Sequence, residues 1–103
     1  MKFERTPAFE GDWRRLSDEE RDKFKSFVRE KFHPACERRA EDPSRAWPKS
    51  ARVSQLTEFP GIMETTWSFS GPDGRATFEW VTVEGEPRIR WRRVRGHAIF
   101  KEP

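Results

Sequence analysis

Met63-Glu64-Thr65-Thr66-Trp67-Ser68-Phe69 and Arg75-Ala76-Thr77-Phe78-Glu79-Trp80 flank Ser70-Gly71-Pro72-Asp73-Gly74. Met63, Thr65, Trp67 and Phe69 alternate with more polar residues, and Ala76, Phe78 and Trp80 resume the same period of two. That period puts successive side chains on opposite faces of a strand. The Pro-Asp-Gly centre makes a turn, because proline presets φ and glycine tolerates positive φ. The expectation is a β-hairpin with one apolar face carrying Trp67 and Trp80 into a core.

Working outward toward the C-terminus, Glu84-Gly85-Glu86-Pro87 reads as a second turn. It leads into Arg88-Ile89-Arg90-Trp91-Arg92-Arg93-Val94-Arg95, in which five of eight residues are arginine. Gly96, His97 and Phe100 follow. Fixed cations, planar rings and a titratable imidazole at close spacing suit a polyanion, and RNA in particular. Strict alternation puts Ile89, Trp91, Arg93, Arg95 and His97 on one face and turns Arg90 and Arg92 toward the interior, where unpaired cations are costly. Either a bulge near Arg92-Arg93 changes the parity, or Trp91 lies on the open face beside the nucleic acid. The bland alternative is a solvated edge strand whose arginines pair with Glu79 and Glu84.

Upstream, Arg52–Thr57 is a candidate strand, and Glu41–Ser50 is a loop by its prolines and small polar residues. Before it the period changes to that of a helix. Ser17-Asp18-Glu19-Glu20 has the form of a capping box, with acids favourable at the positive end of the helix dipole. Phe24, Phe27, Val28 and Phe32 follow at helical spacing until Pro34, which is expected to kink the helix or end its regular part. Helix trails on from Cys36 to Arg39. Thr6-Pro7 marks an earlier helix start, with Phe9, Trp13 and Leu16 on one face. Lys2–Thr6 alternates as a short strand. His33 reads as structural. The fold class expected is α+β: a short N-terminal strand, two helices, then an antiparallel meander of three or four strands with the helices on one sheet face.

The chain has 103 residues, a length that suits one domain spanning 1–103. Only 33% of residues are hydrophobic and 38% are charged. Five Trp and nine Phe supply the missing core area, since each buried ring removes roughly 150–250 Å² from water. Residues 1–44 carry 11 basic and 11 acidic side chains, so the net charge of +3 arises in the C-terminal half. A local basic stripe is a sharper nucleic-acid signal than overall pI. The lone Cys36 excludes an internal disulfide and a cysteine-rich zinc site. With no apolar run of membrane-spanning length and no signal-peptide pattern, a cytoplasmic location and no membrane partner are expected.

Two stretches resemble the RelE/ParE superfamily of bacterial type II toxins. Asp73-Gly74-Arg75-Ala76-Thr77-Phe78-Glu79 is similar to that family's segment in which an arginine opens a strand of the form Arg-x-x-aromatic-Glu. Arg93-Val94-Arg95-Gly96-His97-Ala98-Ile99-Phe100 resembles the C-terminal Arg-x-x-Gly-His…Phe/Tyr of the YafQ- and HigB-like branches. The expected element order extends the resemblance over nearly the whole chain.

The resemblance implies a toxin that cleaves mRNA, commonly on the ribosome, by directing a ribose 2′-OH at the adjacent phosphate, with no metal or other cofactor. The products are a 2′,3′-cyclic phosphate and a 5′-OH. Carried onto this sequence, His97 is the general acid or base, Arg75 and Arg93 hold the phosphate, and Phe100 stacks on or orients a base. Arg88, Arg90, Arg92, Arg95, Trp91 and Arg52 are expected to contact RNA around them. The resemblance also implies a cognate antitoxin. The chain departs from the family in having no tyrosine, so Phe100 brings no hydroxyl. A family-type base is absent as well: Lys49, Arg52 and Glu58 do not match, and Glu79 is left as the candidate second group. The alternatives are a ParE-like inhibitor of DNA gyrase, which needs no histidine, and a module that binds RNA or antitoxin without catalysis.

Overall fold

A computed structural model describes residues 1–67 and 74–95. The class is α+β, with a five-stranded mixed sheet covered on one face by helices. Strand β1 (Lys2–Arg5) leads into α1 (Pro7–Arg15), and α2 (Asp18–Phe27) follows. The start signals behave as their chemistry dictates. Thr6 Oγ1 accepts the Phe9 N–H at 3.1 Å with Pro7 at the first helical position. Ser17 and Glu20 form a reciprocal capping box, at 3.1 Å and 2.8 Å.

The regular part of the second helix ends ahead of Pro34, at Phe27, and helix resumes beyond, as expected. A π-helical turn, Val28–Phe32, joins α2 to α3 (His33–Glu41), with the His33 N–H reaching back to the Val28 carbonyl. Proline lacks an N–H and its ring crowds the preceding turn, and the wider turn lets the helix continue past it. No helix among the described residues is long and apolar enough to cross a membrane.

After a 3-10 turn at Lys49–Ala51, the chain runs β2 (Val53–Gln55), β3 (Ile62–Trp67), β4 (Gly74–Val83) and β5 (Glu86–Arg95). These four form the expected antiparallel meander, although β2 is shorter than the Arg52–Thr57 stretch. β3 and β4 pair from Ile62↔Glu79 to Trp67↔Gly74. Phe69 and most of the first turn lie outside the described residues. Glu84 and Gly85 both have positive φ, 52° and 81°, as a tight two-residue hairpin turn of the I′ kind requires. β1 returns to pair parallel with β5, so the order across the sheet is β1-β5-β4-β3-β2.

The core is built from rings. Trp91 lies 4.9 Å from Phe32, 5.3 Å from Phe24, 5.7 Å from Phe78 and 5.9 Å from Phe9, centroid to centroid. Each such pair contributes about 0.5–1.5 kcal/mol beyond the area it buries. Trp67 is fully buried and Trp80 packs at the margin. A chain poor in aliphatics thus closes its core around one tryptophan of the arginine strand.

Candidate functional site

The parity of β5 is changed by a bulge. Its register with β4 runs from Val83↔Glu86 to Phe78↔Trp91 and restarts at Thr77↔Arg93, leaving Arg92 as the extra residue. Thr6 anchors the bulge: its N–H donates to the Trp91 carbonyl at 3.0 Å and its hydroxyl to the Arg92 carbonyl at 2.9 Å. One threonine therefore starts α1 and fixes the kink of β5. Ile89, Trp91 and Val94 all fall on the helix side and are buried, while the arginines avoid the core.

Trp91 accordingly departs from the sequence expectation. At 3% exposure its ring is not offered to a base. Arg52 departs as well. It sits before β2, an edge strand two strands removed from β5, in a left-handed conformation with φ 50°. It lines a cleft with Lys23 and Lys31, and so is separated from the β5 arginines by β3 and β4.

The remaining arginines are each held by carboxylates. Glu4 on β1 accepts from Arg88 at 3.1 Å and from Arg90 at 3.2 Å. These two hydrogen bonds hold its carboxyl below the ordinary range, Arg88 contributing most. Glu79 lies 3.2 Å from Arg92 and 3.8 Å from Arg90. The candidate second group thus faces two guanidinium ions, the Glu79 pairing of the bland alternative, but β5 is no edge strand: it lies between β1 and β4.

At the other end of the strand the geometry is tighter. Arg75 on β4 donates to Glu64 on β3 at 2.6 Å. Arg93 meets Asp12 on α1 through two contacts, Nε–Oδ2 at 2.7 Å and Nη2–Oδ1 at 3.0 Å. Arg95 adds a third at 3.1 Å and the Val94 N–H a fourth at 3.2 Å. Burial by itself would raise the Asp12 carboxyl, but the bonds from Arg93, Arg95 and Val94 outweigh it and hold it below its ordinary value. Arg75 and Arg95 are direct cross-strand partners, and Thr77↔Arg93, two pairs along, is the next on the same face. Arg75, Arg93 and Arg95 therefore gather at one end of the sheet. His97 and Phe100, the expected acid–base group and stacking ring, lie outside the described residues. His33, read as structural, bonds Glu37 at 2.8 Å and packs edge-on against Phe3.

Two acidic residues of this site were not anticipated. Glu64 is only 5% exposed, and its Oε2 has no hydrogen-bond partner among the described residues. The alternation that sends Met63, Thr65 and Trp67 inward puts Glu64 on the arginine side, so its position was readable. Asp12 lies on the same helical stripe as Phe9, Trp13 and Leu16. A carboxylate on an apolar stripe is itself a signal that a cation must meet it. No protein-family model, no curated protein and no solved structure matches this chain.

Proposed function

We propose that this protein is a RelE/ParE-like toxin: a cytoplasmic, metal-independent endoribonuclease that cleaves mRNA, on the ribosome, and is held inactive by a cognate antitoxin. The observation that carries the reading is the gathering of Arg75, Arg93 and Arg95 at the end of β4 and β5, with His97 two residues beyond Arg95 in the chain. Together with the quoted motifs and the order strand, helices, meander, it supplies the cations and the imidazole that such cleavage needs.

In this reaction the ribose 2′-oxygen bonds to the adjacent phosphorus while a base removes its proton. The phosphorus–O5′ bond then breaks, and an acid protonates the leaving 5′-oxygen. His97, with an ordinary pKa near 6.5, is suited to one of these proton transfers, which typically contribute about 10²–10⁴-fold. Arg75 and Arg93 stabilise the charge gathering on the phosphorane. Guanidinium groups already oriented by Glu64 and Asp12 reorganise little as that charge develops. The antitoxin reading draws support from a cleft of about 350 Å³ floored by Phe9, Phe24 and Trp91, with Arg5, Lys25 and Arg29 among its lining. An acidic segment with an apolar anchor fits such a cleft.

A second reading, binding of RNA or antitoxin without catalysis, is favoured by the carboxylates already engaged with Arg75 and Arg93. Inducing the protein in a bacterial host and mapping mRNA 5′ ends separates the readings. Ribosome-phased cuts that vanish in His97→Ala, with antitoxin binding kept, support the nuclease. Induced DNA damage with intact mRNA points instead to gyrase, and a fully toxic His97→Ala variant removes the histidine from the mechanism.

A further inference from the structure

Three guanidinium groups converge on one oxygen of Asp12. Arg93 Nη2 lies 3.0 Å from Oδ1 and Arg95 Nε 3.1 Å from it, while Arg15 Nη1 lies 3.8 Å away. Burial ranks them: the side chain of Arg93 is 13% exposed, that of Arg95 40% and that of Arg15 77%, around a carboxylate that is 1% exposed. Arg93 gives Asp12 two of its donors, Nε and Nη2. Arg95 contributes one nitrogen and Arg15 stands beyond hydrogen-bonding distance, so among the described residues both retain donors at the surface. Among the described residues one carboxylate faces all three cations directly, and like charges crowded around it repel one another. A second anion would relieve them.

The space for one is present. Asp12, Arg15, Leu16, Glu20, Val94 and Arg95 line a cleft of about 370 Å³. Glu20, its other acid, has Oε1 engaged in the capping box with Ser17. The cleft also continues the arginine cluster. Arg75 is the cross-strand partner of Arg95, and Arg95 shares Asp12 with Arg15, so Arg75, Arg95 and Arg15 form a row from β4 across β5 to the last turn of α1. The row crosses β5 beyond the span paired with β1, whose last partners are Arg5↔Trp91. A polyanion chain meets three successive cations there.

We propose that Arg15 and Arg95 form a phosphate subsite in this cleft, taking a backbone phosphate of single-stranded RNA outside the bond gripped by Arg75 and Arg93. The guanidinium fork matches paired phosphate oxygens. The subsite deepens the endoribonuclease reading and rests on it for the identity of the polyanion.

The test is equilibrium binding of a fully 2′-O-methylated single-stranded RNA, which lacks the attacking hydroxyl, over a range of salt. Wild type is compared with Arg15→Gln and with Arg14→Gln, an exposed neighbour on α1 outside the cleft lining. Arg15→Gln is expected to weaken binding several-fold at low salt and to reduce the log–log salt slope by about 0.7, the value for one contact to a single strand. Arg14→Gln is expected to keep the wild-type affinity and slope. An unchanged slope in Arg15→Gln, or equal losses in both variants, overturns the subsite and leaves the RNA reading standing. Failure of the wild-type protein to bind the probe overturns both.

Discussion

Asp12 and Arg93, 81 residues apart in sequence, meet as a two-pronged pair at 2.7 Å and 3.0 Å, the carboxylate buried and the guanidinium partly so. The same carboxylate accepts the Val94 N–H at 3.2 Å, on a part of β5 that lies past its pairing with β1. One side chain therefore docks α1, satisfies a backbone donor and orients part of the arginine cluster. These three tasks are hard to separate by deletion but respond differently to charge.

Asp12→Asn keeps the shape and removes the charge. Breaking one side of a buried ion pair typically costs about 3–5 kcal/mol, and urea unfolding near neutral pH measures the loss. The pH dependence is a second check. The folded pKa of Asp12 lies below its ordinary 3.8, so its contribution is fully present above that value and disappears as pH falls through the lower folded one. Wild type should therefore lose stability on acidification below about pH 4 more steeply than Asp12→Asn does. Parallel pH curves for the two proteins would mean that Asp12 is not an ionised partner of Arg93.

Trp91→Ala should be among the costliest single substitutions in the chain. Its ring, 3% exposed, touches Phe9, Phe24, Phe32 and Phe78, and truncating such a residue costs about 3–5 kcal/mol. Arg90→Ala, one residue away and 40% exposed in its side chain, should change stability by no more than about 1 kcal/mol. Similar small losses for both, in chemical unfolding followed by fluorescence, would return Trp91 to the surface.

That pair of neighbours also marks how far the sequence could be read. Signals that act within a few residues were legible: Thr6-Pro7, the Ser17–Glu20 box, the Glu84-Gly85 turn and the period-two hairpin all have local causes. The side on which Trp91 lies was not, because alternation alone left two solutions. The deciding element is Thr6, which holds the carbonyls of Trp91 and Arg92 from the far end of the chain. The faces that Asp12 and Glu64 occupy follow from their periods, but which arginines they meet does not, because those partners arrive only when β3 and α1 assemble around β4 and β5.

Cys36 provides a probe of that assembly which leaves the charged surface untouched. It is fully buried in the ring-lined core, and burial pushes its thiol up to about 12, against roughly 8.5 for a free cysteine. Because the thiolate is the reactive form, a disulfide reagent at pH 8 should label the native protein only as fast as α3 opens from the core. The same reagent should label the urea-unfolded chain at the rate of an ordinary thiol. Asp12→Asn and Trp91→Ala should accelerate native labelling if α3 opens only with the whole fold, and leave it unchanged if α3 opens by itself. Rapid labelling of the wild-type protein in native buffer would show that the helix-covered core around Cys36 is open to solvent.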